Sequence, residues 1–275
     1  MITAIAHAAT AAPLAALLPA RRGEAWKVTP APYCVRPHAA TSRLTNGHRA
    51  LIIAESGGRI EVFVDDADMF PVTPDVVVAQ DAPHPVATLA GRILRTVLPR
   101  LEREAAARVH HENGWQGVVT AKAADLSEVG FELIDHGAHP AVEDTLTGPA
   151  LEWEGTAGGK WGLSVYGLAG QLTLTYDGPV HGLYAVLPVL LPPADGHAPQ
   201  DAEGTLTRHL TARFPQLRPL GVDELEFGRL GDVPGYIARP EKPTPDATAD
   251  DTTRVVAEFS AIGTDLLLSV AALLV

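Results

Sequence analysis

The sequence predicts an α+β protein built from two related βββα units in tandem, followed by a C-terminal apolar helix. An internal repeat supports the two units, and a composition break near residue 240 separates them from the helix. The 275 residues suit about two domains, and the 46% hydrophobic content is enough for a core, which excludes wholesale disorder. We expect a first unit with an N-terminal helix at 1–115, a second at 116–238, a linker at 239–253 and the apolar helix at 254–275.

The repeat is clearest where a shift of 112 residues superimposes two hairpin patterns. Residues 47–51 (Gly-His-Arg-Ala-Leu) fall over 159–163 (Gly-Lys-Trp-Gly-Leu), and each strand then reaches a small-residue turn that ends in glycine. Second alternating strands follow at 59–64 and 171–176. Alternation broken by a glycine turn is typical of a β-hairpin.

The remaining elements of each unit follow in the same order. A short apolar strand is predicted at 76–78 and another at 188–190, and helices are predicted over 86–101 and 206–214 from their apolar spacing. Identity between the copies is low and the alignment needs a four-residue slip, so chance similarity stays open beside true duplication. Further short strands are predicted at 25–35, 131–134, 151–153, 225–227 and 236–238.

The segment 254–275 carries apolar side chains at helical spacing, so we expect it to be buried against another surface. Docking on its own unit is favoured, but docking on another protein or on a second copy of the chain stays open. The candidate interface residues are Phe259, Ile262, Leu266, Val270 and Leu273.

Charged residues are distributed unevenly along the chain. Residues 1–115 carry 12 Lys and Arg against 11 Asp and Glu, whereas residues 116–275 carry 9 against 22. An acidic half disfavours binding to nucleic acid, because phosphates are neutralised by Lys and Arg. Solubility, a partner with a basic surface, and mimicry of a nucleic acid all fit this asymmetry.

We predict neither a secretory leader nor a membrane segment from the sequence. The apolar stretch 1–18 precedes Arg21 and Arg22 rather than following a basic segment, so we expect a helix there and not a secretory leader. The single cysteine, Cys34, points to a reducing compartment, and the C-terminal apolar run is too short to span a bilayer. We expect a cytoplasmic protein without a membrane segment.

Histidines and carboxylates concentrate at two places that could carry metal chemistry. Their residue types suit zinc, but their spacing matches no known catalytic pattern, and histidines at a helix end or in a turn have ordinary structural roles. The candidate metal ligands of this alternative are His110, His111, Glu112, Asp135, His136 and His139.

No nucleotide-binding glycine loop and no nucleophile elbow occurs in the sequence. The sequence therefore favours a non-catalytic protein that binds another protein or itself, as an adaptor, chaperone-like or regulatory protein, with no cofactor and no catalytic residue assigned. The alternative is a metal-dependent hydrolase that uses the His/Asp/Glu cluster between the two units.

Overall fold

The computed structural model confirms a mixed α and β protein with two antiparallel sheets. The chain divides into two compact units, 1–101 and 102–275. The expected boundary at residue 115 falls inside the second of them. The structure describes residues 7–66, 72–145, 148–166, 170–193, 203–228, 231–240 and 248–275. Among these residues, no helix is both long enough and apolar enough to cross a membrane.

The first unit is a five-stranded antiparallel meander with helices packed against its strands. Its strands are β1 (Lys27–Pro30), β2 (Ala40–Asn46), β3 (Arg49–Ser56), β4 (Arg59–Val64) and β5 (Val76–Ala79). Its helices are α1 (Ala11–Leu17), α2 (Pro85–Arg92), a π-helical turn (Ile93–Val97) and the start of α3 (Leu98–Asp135).

The central strand β3 is buried on both faces. Ile52 and Ala54 pack with Phe63 of β4 under the irregular segment 31–39, while α2 contacts β5 and packs against α1. A strand covered on both sides is apolar along its whole length rather than alternating, and the sequence Leu-Ile-Ile-Ala at 51–54 has this character.

Helix α3 reverses direction at Gly114, whose φ of 66° and ψ of −170° lie outside the helical region. Glu102 and Lys122 would be about 30 Å apart along a straight helix, yet the Lys122 Nζ and Glu102 Oε2 atoms are separated by 3.4 Å. The helix is therefore a hairpin of two segments, 98–113 and 115–135. Glycine suits this position because it adopts a positive φ without a steric cost.

The second unit is built on an eight-stranded antiparallel sheet, in the order β10-β11-β12-β13-β9-β8-β7-β6. The strands are β6 (Ala141–Thr145), β7 (Gly148–Glu154), β8 (Lys160–Tyr166), β9 (Gln171–Pro179), β10 (Arg218–Gly221), β11 (Glu224–Phe227), β12 (Gly235–Ala238) and β13 (Arg254–Ile262). The remaining helical elements are α4 (Leu187–Leu190), α5 (Thr205–Arg213), α6 (Thr264–Val270) and the 3₁₀ turns Val180–Leu183 and Ala271–Leu273.

The prediction of a C-terminal helix over 254–275 is wrong for its first nine residues. Residues 254–262 form β13, which lies inside the sheet between β9 and β12, and only Thr264–Val270 is α-helical. Val255, Ala257 and Phe259 are buried while the residues between them are only partly buried, which is the two-residue period of a strand. Part of the expected linker, 241–247, lies outside the described residues.

The tandem βββα arrangement is not confirmed. Both predicted hairpins occur, as β3–β4 and β8–β9, and β5 and α5 lie where the repeat places them. The expected third strand of the second copy, 188–190, is helical instead, and so is 131–134, which belongs to α3. Short apolar runs do not by themselves distinguish a strand from a helix.

Tyr176 lies at the centre of the buried face of the eight-stranded sheet. Its ring centroid is 4.5 Å from that of Trp161, and its hydroxyl donates to the Pro179 carbonyl at 2.7 Å. Burial raises the pKa of Tyr176 to about 12. Glycine is required around this ring, because a Cβ at Gly159 or Gly182 would overlap the phenol.

We expect Gly182→Ala to lower the free energy of unfolding by about 1–3 kcal/mol, the usual cost of overpacking a core. Its Cβ would overlap the Tyr176 hydroxyl, whereas the next ring atom, Cζ, is 2.9 Å away. The same substitution in a Tyr176→Phe background should therefore cost less. Urea unfolding of the four proteins of this double-mutant cycle measures the coupling. Equal costs in both backgrounds would contradict the described contact.

Candidate functional site

The eight-stranded sheet buries one face and leaves the other open. The buried face carries Leu151, Leu163, Leu174 and Phe259 in one cross-strand row, all nearly inaccessible to solvent. The opposite face carries the residues between them, most of which are polar. The acidic face is defined by Glu152, Glu154, Lys160, Asp177, Arg218, Glu224, Glu226, Tyr236, Arg254 and Glu258.

Strand pairing aligns the residues of this face in two continuous rows. In one row Thr175 lies opposite Glu258, Glu258 opposite Tyr236, and Tyr236 opposite Glu226. The other row runs from Glu154 on β7 through Lys160 and Asp177 to Val256. It continues through Ala238 to Glu224 on β11. Arg218 of β10 lies opposite Glu226 and extends the first row. Directly opposed side chains of an antiparallel pair lie on the same face, so the rows form one surface across seven strands.

The basic side chains of the acidic face already have carboxylate partners within it. The Lys160 Nζ lies 2.5 Å from Glu152, and the Arg218 Nη2 lies 3.3 Å from Glu226. Arg254 makes a two-pronged contact with Asp177 at 2.7 and 2.8 Å, which lowers the pKa of that carboxyl. Six carboxylates against three bases give the face a net charge of −3.

Tyr236 places an aromatic ring at the centre of the acidic face, with 37% of the residue exposed. Burial, and then the negative charges of Glu258 and Glu224, raise the pKa of Tyr236, so its phenol stays protonated at neutral pH. A half-exposed tyrosine among carboxylates combines apolar contact area with a hydrogen-bond donor. Tyrosine is enriched at protein–protein interfaces for this reason.

The residues predicted as an interface lie mostly in the interior. Phe259, Ile262, Leu266 and Val270 are buried within the second unit, and only Leu273 is exposed, at 38%. Their position agrees with the favoured interpretation, in which the segment 254–275 docks on its own unit. Any interface they formed would require β13 to leave the sheet and α6 to detach from the core of the unit.

The six candidate metal ligands do not come together. His110, His111 and Glu112 are exposed beside the reversal at Gly114, whereas Asp135, His136 and His139 lie at the other end of the 115–135 segment, about 30 Å along the helix. His136 instead faces Glu132, with 3.3 Å between Nε2 and Oε1. In the described part of the chain, no group of three or more His, Cys, Asp or Glu side chains is placed to hold a metal ion.

A second polar cluster, which the sequence did not reveal, joins three distant segments of the second unit. The Tyr184 hydroxyl donates to the Asp251 Oδ1 at 2.5 Å, and the His209 Nε2 lies 2.7 Å from that hydroxyl and 3.1 Å from the same oxygen. The guanidinium of Arg213 covers the Tyr184 ring at 3.9 Å. Burial and the bond to Asp251 raise the pKa of Tyr184, so the phenol is a donor and not a nucleophile. The cluster holds the segment 248–253 against α5.

We expect this cluster to release the segment 248–253 in acid. The Tyr184 hydroxyl lowers the pKa of Asp251 below its ordinary 3.8. The stabilisation is therefore present above pH 3.8 and is lost as the pH falls through the lowered value. Amide exchange of His181, whose N–H donates to the Asp251 carbonyl, should lose protection over this acid range. Protection that stays constant in acid would contradict the assignment.

Comparison with known proteins adds no assignment: no protein-family model, no curated protein and no solved structure matches the chain. Function is therefore inferred from the residues and geometry described above.

Proposed function

We propose that this chain is a non-catalytic protein-binding protein, with an adaptor, chaperone-like or regulatory role. Its partner carries a basic surface, which docks on the acidic face. The observation that carries the proposal is the open face of the eight-stranded sheet, which holds six carboxylates and three bases that are already paired. Three of the carboxylates, those of Glu224, Glu226 and Glu258, lie beside the half-exposed Tyr236.

The architecture supports a rigid docking surface. The side chains of the acidic face extend from seven hydrogen-bonded strands, and the opposite face is fixed by buried aromatic and aliphatic residues. Surface charge that is held in place before binding increases association rates and discriminates against wrong partners. Glu154 on β7 and Glu224 on β11 lie near opposite ends of the surface, so a partner that covers both spans most of the sheet.

The proposal is tested by capturing proteins from native cells on the immobilised full chain, with three baits. The first is the natural chain and the second carries Glu154→Lys and Glu224→Lys. The third, a control with the same change in net charge, carries Asp81→Lys and Glu112→Lys at exposed positions outside the acidic face. Quantitative mass spectrometry then compares the proteins bound to each bait.

We expect a basic protein that the natural chain and the control retain and that the acidic-face variant loses by about tenfold or more, with binding that weakens as salt is added. Two results would contradict the proposal. One is a set of captured proteins that the acidic-face variant retains in full. The other is an equal loss from the variant and from the control, which would show only a response to net charge.

A further inference from the structure

The helical segment 115–135 of α3 has large apolar side chains on two opposite sides. The buried side carries Val118, Leu126, Val129 and Leu133. On the other side, which faces solvent, Phe131 is 69% exposed and Ile134 is 50% exposed. A surface helix normally carries polar residues opposite its buried side. Two large apolar side chains at this place therefore mark a candidate docking surface.

Phe131 and Ile134 belong to a longer row of exposed residues, which we call the outer stripe. The outer stripe is defined by Thr120, Ala124, Ser127, Phe131 and Ile134, all exposed to solvent. Its members follow one another at intervals of four and three residues, as the a and d positions of a heptad do. This spacing places them on one side of the helix over a length of about 21 Å. The outer stripe therefore has the form of a seam along which a second helix can pack.

The hydroxyl groups of the outer stripe already donate hydrogen bonds within α3. The Thr120 Oγ1 donates to the Gln116 carbonyl and the Ser127 Oγ donates to the Ala123 carbonyl, both at 2.9 Å. A partner that covers these residues therefore leaves no hydroxyl donor unpaired. Small side chains also let two helices approach closely, since the distance between packed helices depends on the side chains at the contact.

Carboxylates border the outer stripe on one flank. Glu128 and Asp135 lie on this flank, seven residues and about two helical turns apart. The single basic residue of the segment, Lys122, lies on the buried side. The other flank contains Gly130, where a Cβ would lie 3.5 Å from the Leu151 Cδ1, so this flank packs on β7. A helix seated on the outer stripe therefore meets carboxylates along one of its flanks only.

We propose that the outer stripe binds an amphipathic α-helix of another protein, with apolar residues at its a and d positions and Lys or Arg along one flank. The apolar side of this helix packs on Phe131 and Ile134, and its basic flank lies beside Glu128 and Asp135. Charge decides against a second copy of the chain as the occupant. In an antiparallel pair of identical helices each flank faces the same flank of the other copy, so the two acidic flanks would meet and repel.

The probe is a labelled peptide of three heptads, with leucine at each a and d position and lysine along one flank. Its binding to the full chain is measured by fluorescence anisotropy. One comparison peptide has glutamate in place of lysine, and another has the same composition with its leucines at alternate positions, which is the period of a strand. We expect the heptad lysine peptide to bind about tenfold more tightly than either, and its circular dichroism to become more helical on binding.

Substitutions in the chain locate the peptide. Phe131→Gln with Ile134→Gln should weaken binding about fivefold or more. The matched control is Leu220→Gln, which replaces a leucine of β10 that is 57% exposed and should leave binding unchanged. Glu128→Lys with Asp135→Lys should reverse the charge preference, so that the glutamate peptide binds more tightly than the lysine peptide. Urea unfolding of each variant establishes that it is folded.

A comparison peptide that binds as tightly as the heptad lysine peptide, or equal weakening by Leu220→Gln, would overturn the proposal. A chain that forms a dimer in sedimentation experiments, and that Phe131→Gln converts to a monomer, would assign the outer stripe to a second copy and overturn it as well. The variant with Glu154→Lys and Glu224→Lys should still bind the peptide, because those carboxylates belong to the acidic face. Loss of the peptide from that variant would assign it to the acidic face instead.

Discussion

A chain that ends at Arg239 should not fold its second unit. The deletion removes β13, which pairs with β9 on one side and β12 on the other, so the sheet loses an interior strand. It also removes α6. The large apolar side chains lost from the core are Val255, Phe259, Ile262, Leu266, Leu267, Val270 and Leu274, each at most 2% exposed. Burying seven such side chains contributes on the order of 10 kcal/mol, which is comparable with the whole stability of a typical domain.

The tryptophans of β7 and β8 report this loss. Trp153 and Trp161 are buried in the second unit, and the Trp153 Nε1 donates to the Leu274 carbonyl at 2.9 Å. Their fluorescence in the truncated chain should match that of the urea-unfolded protein. Single substitutions control for the size of the deletion: Phe259→Asp should be as damaging, whereas Leu273→Asp should be tolerated. A truncated chain with a cooperative unfolding transition and buried tryptophans would show that 254–275 is a detachable segment.

Lys122→Met should lower the free energy of unfolding by about 3–5 kcal/mol, because it removes the cation from a buried cluster of charged side chains. The Lys122 side chain is 7% exposed, and its Nζ lies 2.9 Å from Asp125 and 3.4 Å from Glu102. Glu102 in turn accepts hydrogen bonds from the backbone N–H and hydroxyl of Thr264, at the start of α6. The substitution therefore disturbs the α3 hairpin and the α6 terminus together.

The stabilisation by Lys122 and its two carboxylate partners should be lost at high pH. Burial disfavours the charged ammonium, but the carboxylates of Glu102 and Asp125 outweigh that effect and raise the pKa of Lys122. The stabilisation is therefore fully present below the ordinary lysine pKa of 10.5 and is lost as the pH rises through the higher folded value. Urea unfolding at neutral pH measures the cost. Lys160→Met, which removes an exposed ion pair with Glu152, is the control and should change stability little. A small effect from both substitutions would contradict the described burial.

The sequence correctly predicted those strands whose conformation depends on residues close to them in the chain. The hairpins β3–β4 and β8–β9 were recognisable because a glycine turn lies between two alternating strands. The strand β13 was not recognisable, because the spacing of Val255, Phe259 and Ile262 fits a helix as well as a strand whose alternation is interrupted by a bulge. Its conformation is decided by pairing with β9, about 80 residues earlier in the chain. Propensity within one segment does not contain that information.

The candidate site, too, could be predicted only in part from the sequence. The excess of acidic residues in 116–275 was visible in the sequence, but its concentration on one face follows from the order of the strands. Glu154 and Glu224 come onto a common surface only because β13 and β9 lie between their strands. The cluster of Tyr184, His209 and Asp251 joins residues up to 67 positions apart, and no spacing rule relates them.

Hydroxyl-radical footprinting of the full chain with its captured basic partner tests the central claim most directly. We expect Tyr236 to be labelled in the free chain and protected in the complex, while Cys34, exposed in the first unit, is labelled equally in both. A complex in which Tyr236 remains as reactive as in the free chain would contradict docking on the acidic face.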